Sequence, residues 1–272
     1  MTATQFIGLS AFQWLALVVV YLTLLIIAEA FVGHYRRSFI SRSQYAPLIG
    51  GGLLIATALV ATVKPWSSAT TLALQMAGWL AVIFGLVGFG FHHYYGIAKK
   101  PGGYKWLFHH LMYGAPPLAP LSLSVTGALA LITARGFANQ SNIGGVSLRT
   151  ALLISIAIAM AGATVQAAIL HYRGAFNNPI MFAPLTVPVP AIVLAILLIV
   201  RPNAVVIFLF TILLWLTFLI GFVGWGMHLR GYSRHMGGLF VTLFNLLEGP
   251  AVSAPALFTG FAAIGLITVY LL

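Results

Sequence analysis

The chain has no cysteine and no aspartate, and its only carboxylate side chains, Glu29 and Glu248, stand against 13 lysines and arginines. Without thiols, disulfides, thiolate-ligated haem and Cys-ligated iron–sulfur clusters are excluded, so any metal must be held by histidine, carboxylate or weaker ligands. Charge of either sign is scarce, at 6% of residues, and long polar linkers and low-complexity tracts are missing, which leaves no stretch for a soluble domain. Alternating strand patterns are missing too, so a membrane β-barrel is not expected.

What is present is apolar. The mean hydropathy is +1.05 and 61% of residues are hydrophobic, in runs near the roughly 20 residues that cross a bilayer core as a helix. Runs bounded by charge, Gly and Pro predict about eight spans, at 11–33, 46–63, 71–95, 116–134, 150–172, 183–200, 204–228 and 250–271. Backbone groups in lipid must be satisfied within each segment, so the expected fold is all-α, a polytopic transmembrane helical bundle. The first basic residue is Arg36, which leaves no basic region for a cleaved signal peptide; the first span is expected to be retained.

The sequence repeats itself. "HYRRSFISRSQYAPL" at 34–48 matches "HYRGAFNNPIMFAPL" at 171–185 at an offset of 137, and residues 93–120 align without a gap on 228–255 at an offset of 135. In the second block His93, Gly96, Gly102, Gly103, Gly114 and Pro120 recur as His228, Gly231, Gly237, Gly238, Gly249 and Pro255. This predicts two four-helix repeats, 1–135 and 136–272, whose even span number makes them parallel. One membrane side then carries nine of the basic residues and the other four. By the positive-inside bias the richer side is cytoplasmic, with both termini outside, as in a bacterial inner membrane. The charge of +11 is thereby membrane-surface charge, and no nucleic-acid partner is expected.

All eight histidines and both glutamates fall on that one side. His92, His109 and His235, which have no histidine counterpart under the 135 and 137 offsets, are assigned to the amphipathic interfacial belt. The pairs His34/His171 and His93/His228 kept their imidazoles while neighbours changed. In each repeat they close the first and third spans, which are diagonal in a compact four-helix unit, so His34 with His93 and His171 with His228 are candidate axial ligands of b-type haem. Arg36, Arg173 and Arg230 are candidate propionate partners. The arrangement resembles the organisation of membrane b-type cytochromes, a likeness of architecture carried by no family motif.

The competing expectation is a non-haem iron or copper centre of a membrane oxidase or hydroxylase, with the same four histidines and His110 as metal ligands. Glu29 and Glu248 are the candidate catalytic groups, for proton relay or ligation. The dense histidine boxes of membrane desaturases and the HExxH zinc signature are missing. A transporter is disfavoured by polar groups that gather at one face rather than at the midplane; a non-catalytic membrane anchor subunit is a further alternative. The sequence therefore points to an oxidoreductase or electron-transfer subunit whose partners are the lipid bilayer, a quinone and a peripheral or membrane redox subunit.

Overall fold

The computed structural model describes residues 5–65, 67–234, 237, 245–246, 249 and 251–270. The chain is a helical bundle, and among the described residues seven helices are long and apolar enough to cross a membrane.

A two-residue hairpin opens each half. Strands β1 (Gln5–Phe6) and β2 (Leu9–Ser10) pair antiparallel, as do β3 (Asn142–Ile143) and β4 (Val146–Ser147). Both turns hold their two central residues at positive φ, Ile7 and Gly8 in one and Gly144 and Gly145 in the other, the geometry whose twist matches that of paired strands. Each hairpin delivers a serine to the next helix as its N-cap. Ser10 accepts from the Gln13 amide at 3.3 Å while Gln13 Oε1 accepts from the Ser10 amide at 2.9 Å, a capping box that starts α1 (Ala11–Tyr35). Ser147 accepts from the Thr150 amide at 3.1 Å and starts α6 (Leu148–Arg173).

The remaining helices are α2 (Ala46–Val63), α3 (Ser68–His93), a short α4 (Leu107–Tyr113), α5 (Ala119–Phe137), a one-turn α7 (Ala183–Thr186), α8 (Pro188–Val200), α9 (Ala204–Ser233) and α10 (Ala256–Tyr270). With 25 residues, α1 is about 37 Å long, more than the hydrocarbon thickness of about 30 Å, so its final turn extends to the interface. Helices α1, α5, α6 and α10 form a closed inner ring, α1 and α6 each packing against both α5 and α10. Helices α2 and α3 flank one side of that ring, α8 and α9 the other. Leu15, Val19 and Leu22 of α1, Leu129 and Ile132 of α5, Leu152, Ile156 and Met160 of α6 and Phe261 of α10 make one buried cluster. Outward-facing Trp79, Ile83 and Leu86 on α3 and Phe208, Trp215 and Leu219 on α9 are exposed, an apolar surface suited to lipid tails.

Helix association in lipid depends on close packing rather than on the hydrophobic effect. Glycines supply that closeness here. A Cβ at Gly85 would lie 2.6 Å from the Ser124 amide nitrogen, and one at Gly221 would lie 2.6 Å from that of Thr259. The hydroxyls at these crossings reach the facing helix, Ser124 Oγ donating to Val82 O at 2.9 Å and Thr259 Oγ1 to Phe218 O at 3.1 Å.

Within the span predicted at 250–271, the described helix runs over Ala256–Tyr270. Prolines open the helical segments between α6 and α9: Pro179 starts a 3₁₀ turn, and Pro184 and Pro188 sit in the first turns of α7 and α8, where a missing N–H costs nothing.

Candidate functional site

The end of α1 and the end of α6 are built alike. After His34 the chain reverses through Ser38 and Phe39, both at positive φ; after His171 it reverses through Ala175 and Phe176, also both at positive φ. Left-handed conformations at non-glycine residues cost roughly 1–2 kcal/mol each, so both turns are held by their surroundings. The Phe39 amide donates to His34 O at 3.2 Å and the Phe176 amide to His171 O at 3.1 Å. Phe39 stacks on Tyr45 at 4.5 Å and Phe176 on Phe182 at 4.6 Å. Each phenyl ring then meets its histidine edge-on, at 6.1 Å for His34 and 6.2 Å for His171.

His171 Nδ1 lies 2.8 Å from Met181 O. A carbonyl only accepts, so Nδ1 carries the proton and Nε2 keeps its lone pair. At the equivalent place Gln44 faces His34 through its backbone, yet His34 Nδ1 is buried without a hydrogen-bond partner.

The third helix of each half corrects the alignment. His228 Nδ1 is 2.7 Å from Ala251 O, and the matching bond in the first half, to Pro116 O at 2.8 Å, is made by His92. His93, the residue matched to His228 at an offset of 135, instead packs its ring on Phe89 at 4.2 Å with Nδ1 buried and unpartnered. The cause is a π turn at Tyr94–Ala98, closed by the Lys99 amide on Tyr94 O at 2.8 Å. Its extra residue shifts the register of everything before it by one. Upstream of the turn Gly85 and Gly88 therefore answer to Gly221 and Gly224, each pair meeting Pro120 and Pro255 respectively. His92, assigned from sequence to the interfacial belt, holds the structural position opposite His228. A signal for it is legible: Gly85, Gly88, Gly90 and His92 have the spacing of Gly221, Gly224, Gly226 and His228.

His34 and His92 lie within electrostatic range of one another, as do His171 and His228, and Arg37 is in range of both members of the first pair. His92 is also within electrostatic range of His93. Among the described residues no group of three or more His, Asp or Glu is placed to hold a metal ion. His110, counted among the metal ligands from sequence, is buried in α4 with Nε2 unpartnered, beside exposed His109. Glu248 and His235 lie outside the described residues.

The arginines assigned to propionates have other partners. Arg36 donates from one guanidinium nitrogen to Leu246 O at 3.1 Å and Gly249 O at 2.9 Å. Arg173 donates to Leu111 O and, at 3.1 Å, to Gly114 O. Each half thereby caps open carbonyls in the connecting segment of the other. Arg230 is exposed in the last turn of α9.

Glu29 is a clasp between halves. Its Oε1 accepts from the Ser253 amide at 2.7 Å and the Ser253 hydroxyl at 2.6 Å, just ahead of α10. The residue matched to it at an offset of 137, Gln166, has both side-chain amide atoms buried and neither hydrogen-bonded; Leu118, matched to Ser253 at an offset of 135, offers no hydroxyl. No protein-family model matches the chain, and no curated protein or solved structure is similar to it. The functional reading therefore stands on these side chains alone.

Proposed function

We propose that the protein is a duplicated, eight-span membrane cytochrome that holds b-type haem between His34 and His92 and between His171 and His228, and passes electrons between quinone and a partner redox subunit. The observation that carries this reading is the fixed tautomer of His92, His171 and His228. Their Nδ1 atoms are hydrogen-bonded to Pro116, Met181 and Ala251 carbonyls, the outer contact that orients a ligating imidazole and leaves Nε2 for the metal. Two ligands per site suit haem, whereas a non-haem centre needs three or more, which the described residues do not gather. Held by these imidazoles, haem would supply one-electron transfer.

Duplication is supported by the recurrence of whole devices: the hairpin and serine cap, the left-handed turn with its stacked ring, the glycine crossing and the arginine latch. Parallel repeats put both haem sites in one leaflet, and nine of 13 basic residues on that side favour the cytoplasm of a bacterial inner membrane, with both termini outside.

The purified protein should show a Soret band whose position and α band change on adding a quinol. Reduction by dithionite but not by quinol would assign electron exchange to the partner subunit; a spectrum without haem, from protein that is helical and monodisperse, overturns the proposal.

A further inference from the structure

A recess of about 580 Å³ opens beside the first haem pair, lined by Arg37, Lys100, Trp106, His109, His110 and Tyr113, with the backbone turns of Gly96 and Gly114. None of the four proposed haem ligands lines it, and none of its lining residues is acidic. Its walls are set by backbone geometry. Gly102, at φ +79°, lets the Trp106 indole lie where a Cβ would otherwise stand. His110 is 9% exposed and its Nε2 has no hydrogen-bond partner. A buried ring nitrogen left unpaired is destabilising, a deficit that a ligand oxygen would remove.

The other half lacks this chemistry. At the positions equivalent to Arg37, Lys100, Trp106, His109, His110 and Tyr113 it carries Gly174, His235, Val241, Phe244, Asn245 and Glu248. Both cations are gone, and a carboxylate replaces the tyrosine. Elsewhere the halves share capping, turns and crossings, so the difference singles out this recess as something other than a structural element.

We propose that this recess binds a phosphate-bearing anion at the membrane surface, Arg37 and Lys100 meeting the phosphate oxygens, His110 donating from within, and the Trp106 and Tyr113 rings covering the less polar part of the ligand. A guanidinium and an ammonium together suit phosphate. The volume admits a glycerol-sized group besides the phosphate and falls in the usual range for small-molecule sites, roughly 300–1,000 Å³. At the end of the membrane spans such an anion comes either from a lipid headgroup or from solution. The site does not depend on haem.

The test measures thermal stability of the full-length protein in neutral detergent with added phosphatidylglycerol, phosphatidylcholine or inorganic phosphate. Phosphatidylglycerol should raise the midpoint, phosphatidylcholine should not, and the combined Arg37→Ala, Lys100→Ala variant should bind about thirtyfold more weakly. Stabilisation by inorganic phosphate equal to that by the lipid assigns the site to a soluble anion; no effect of it assigns the lipid. Because removing two cations can disturb folding, Tyr113→Glu is the second variant: the side chain is 80% exposed, and the substitution copies the other half. It should abolish the shift while leaving the unliganded midpoint in place. Arg42→Ala, an exposed cation outside the recess, should change nothing. Equal binding of both lipids, undiminished binding in the two recess variants, or equal loss in Arg42→Ala overturns the proposal.

Discussion

Glu29 illustrates how a single residue changes meaning once its partners are seen. An ionisable side chain within a span invites a proton-transfer role, yet Glu29 Oε1 already accepts both donors of Ser253. An amide oxygen can accept the same two bonds, so Glu29→Gln should leave the thermal midpoint nearly unchanged. Glu29→Ala strands the Ser253 amide and hydroxyl and should cost about 1–3 kcal/mol, read as a lower midpoint in detergent. If the Gln and Ala variants were equally damaged, the charge and not the geometry would be the essential property, and the proton-relay role would return. The carboxylate was legible in the sequence; its partner, 224 residues away, was not. His92 is the opposite case. The glycine spacing before it matches that before His228, but an ungapped alignment through the later glycines hides it, because the added residue sits in a π turn that has no local sequence signature.

Between elements, the glycine crossings decide how close α3 comes to α5 and α9 to α10. Gly221→Ala would drive a methyl group into the Thr259 backbone, whereas Gly226, on the same helix but on another face, has nothing within 4 Å of its would-be Cβ. Gly221→Ala should therefore destabilise by about 1–3 kcal/mol, and Gly226→Ala should be neutral. Gly85→Ala and Gly90→Ala should divide in the same way, since Gly85 meets Ser124 and Gly90 meets nothing. Thermal unfolding of the four variants checks this; equal effects within either pair would mean that the crossings are looser than described. Helix identities were readable from hydropathy alone because lipid demands long apolar segments. The two hairpins were not, since two-residue strands carry no periodicity, and the described α10 is shorter than the hydropathic run that announced it.

Across the whole molecule, the halves hold each other through Arg36 on Leu246 and Gly249 and through Arg173 on Leu111 and Gly114. Each latch removes orphan carbonyls that would otherwise meet a poorly hydrated interface. Arg36→Ala and Arg173→Ala should each cost roughly 1.5–3 kcal/mol, and with no shared partners their effects should add. A double variant no worse than either single one would show that the latches act as one unit. The likeness of the two histidine turns was readable from the matched blocks at 34–48 and 171–185, because both stretches kept their turn chemistry. The exchange of arginines between copies was not, since an alignment pairs equivalent residues and is silent on which copy they touch.

The central claim is two bis-imidazole haem sites built from His34 with His92 and His171 with His228. It is tested most directly by haem stoichiometry in purified wild-type, His92→Ala, His228→Ala and His93→Ala proteins, with low-spin character read by electron paramagnetic resonance. The account predicts two low-spin haems per chain in the wild type and in His93→Ala, and one low-spin haem in His92→Ala and in His228→Ala. A wild type without haem, or a full low-spin complement in both His92→Ala and His228→Ala, would contradict it.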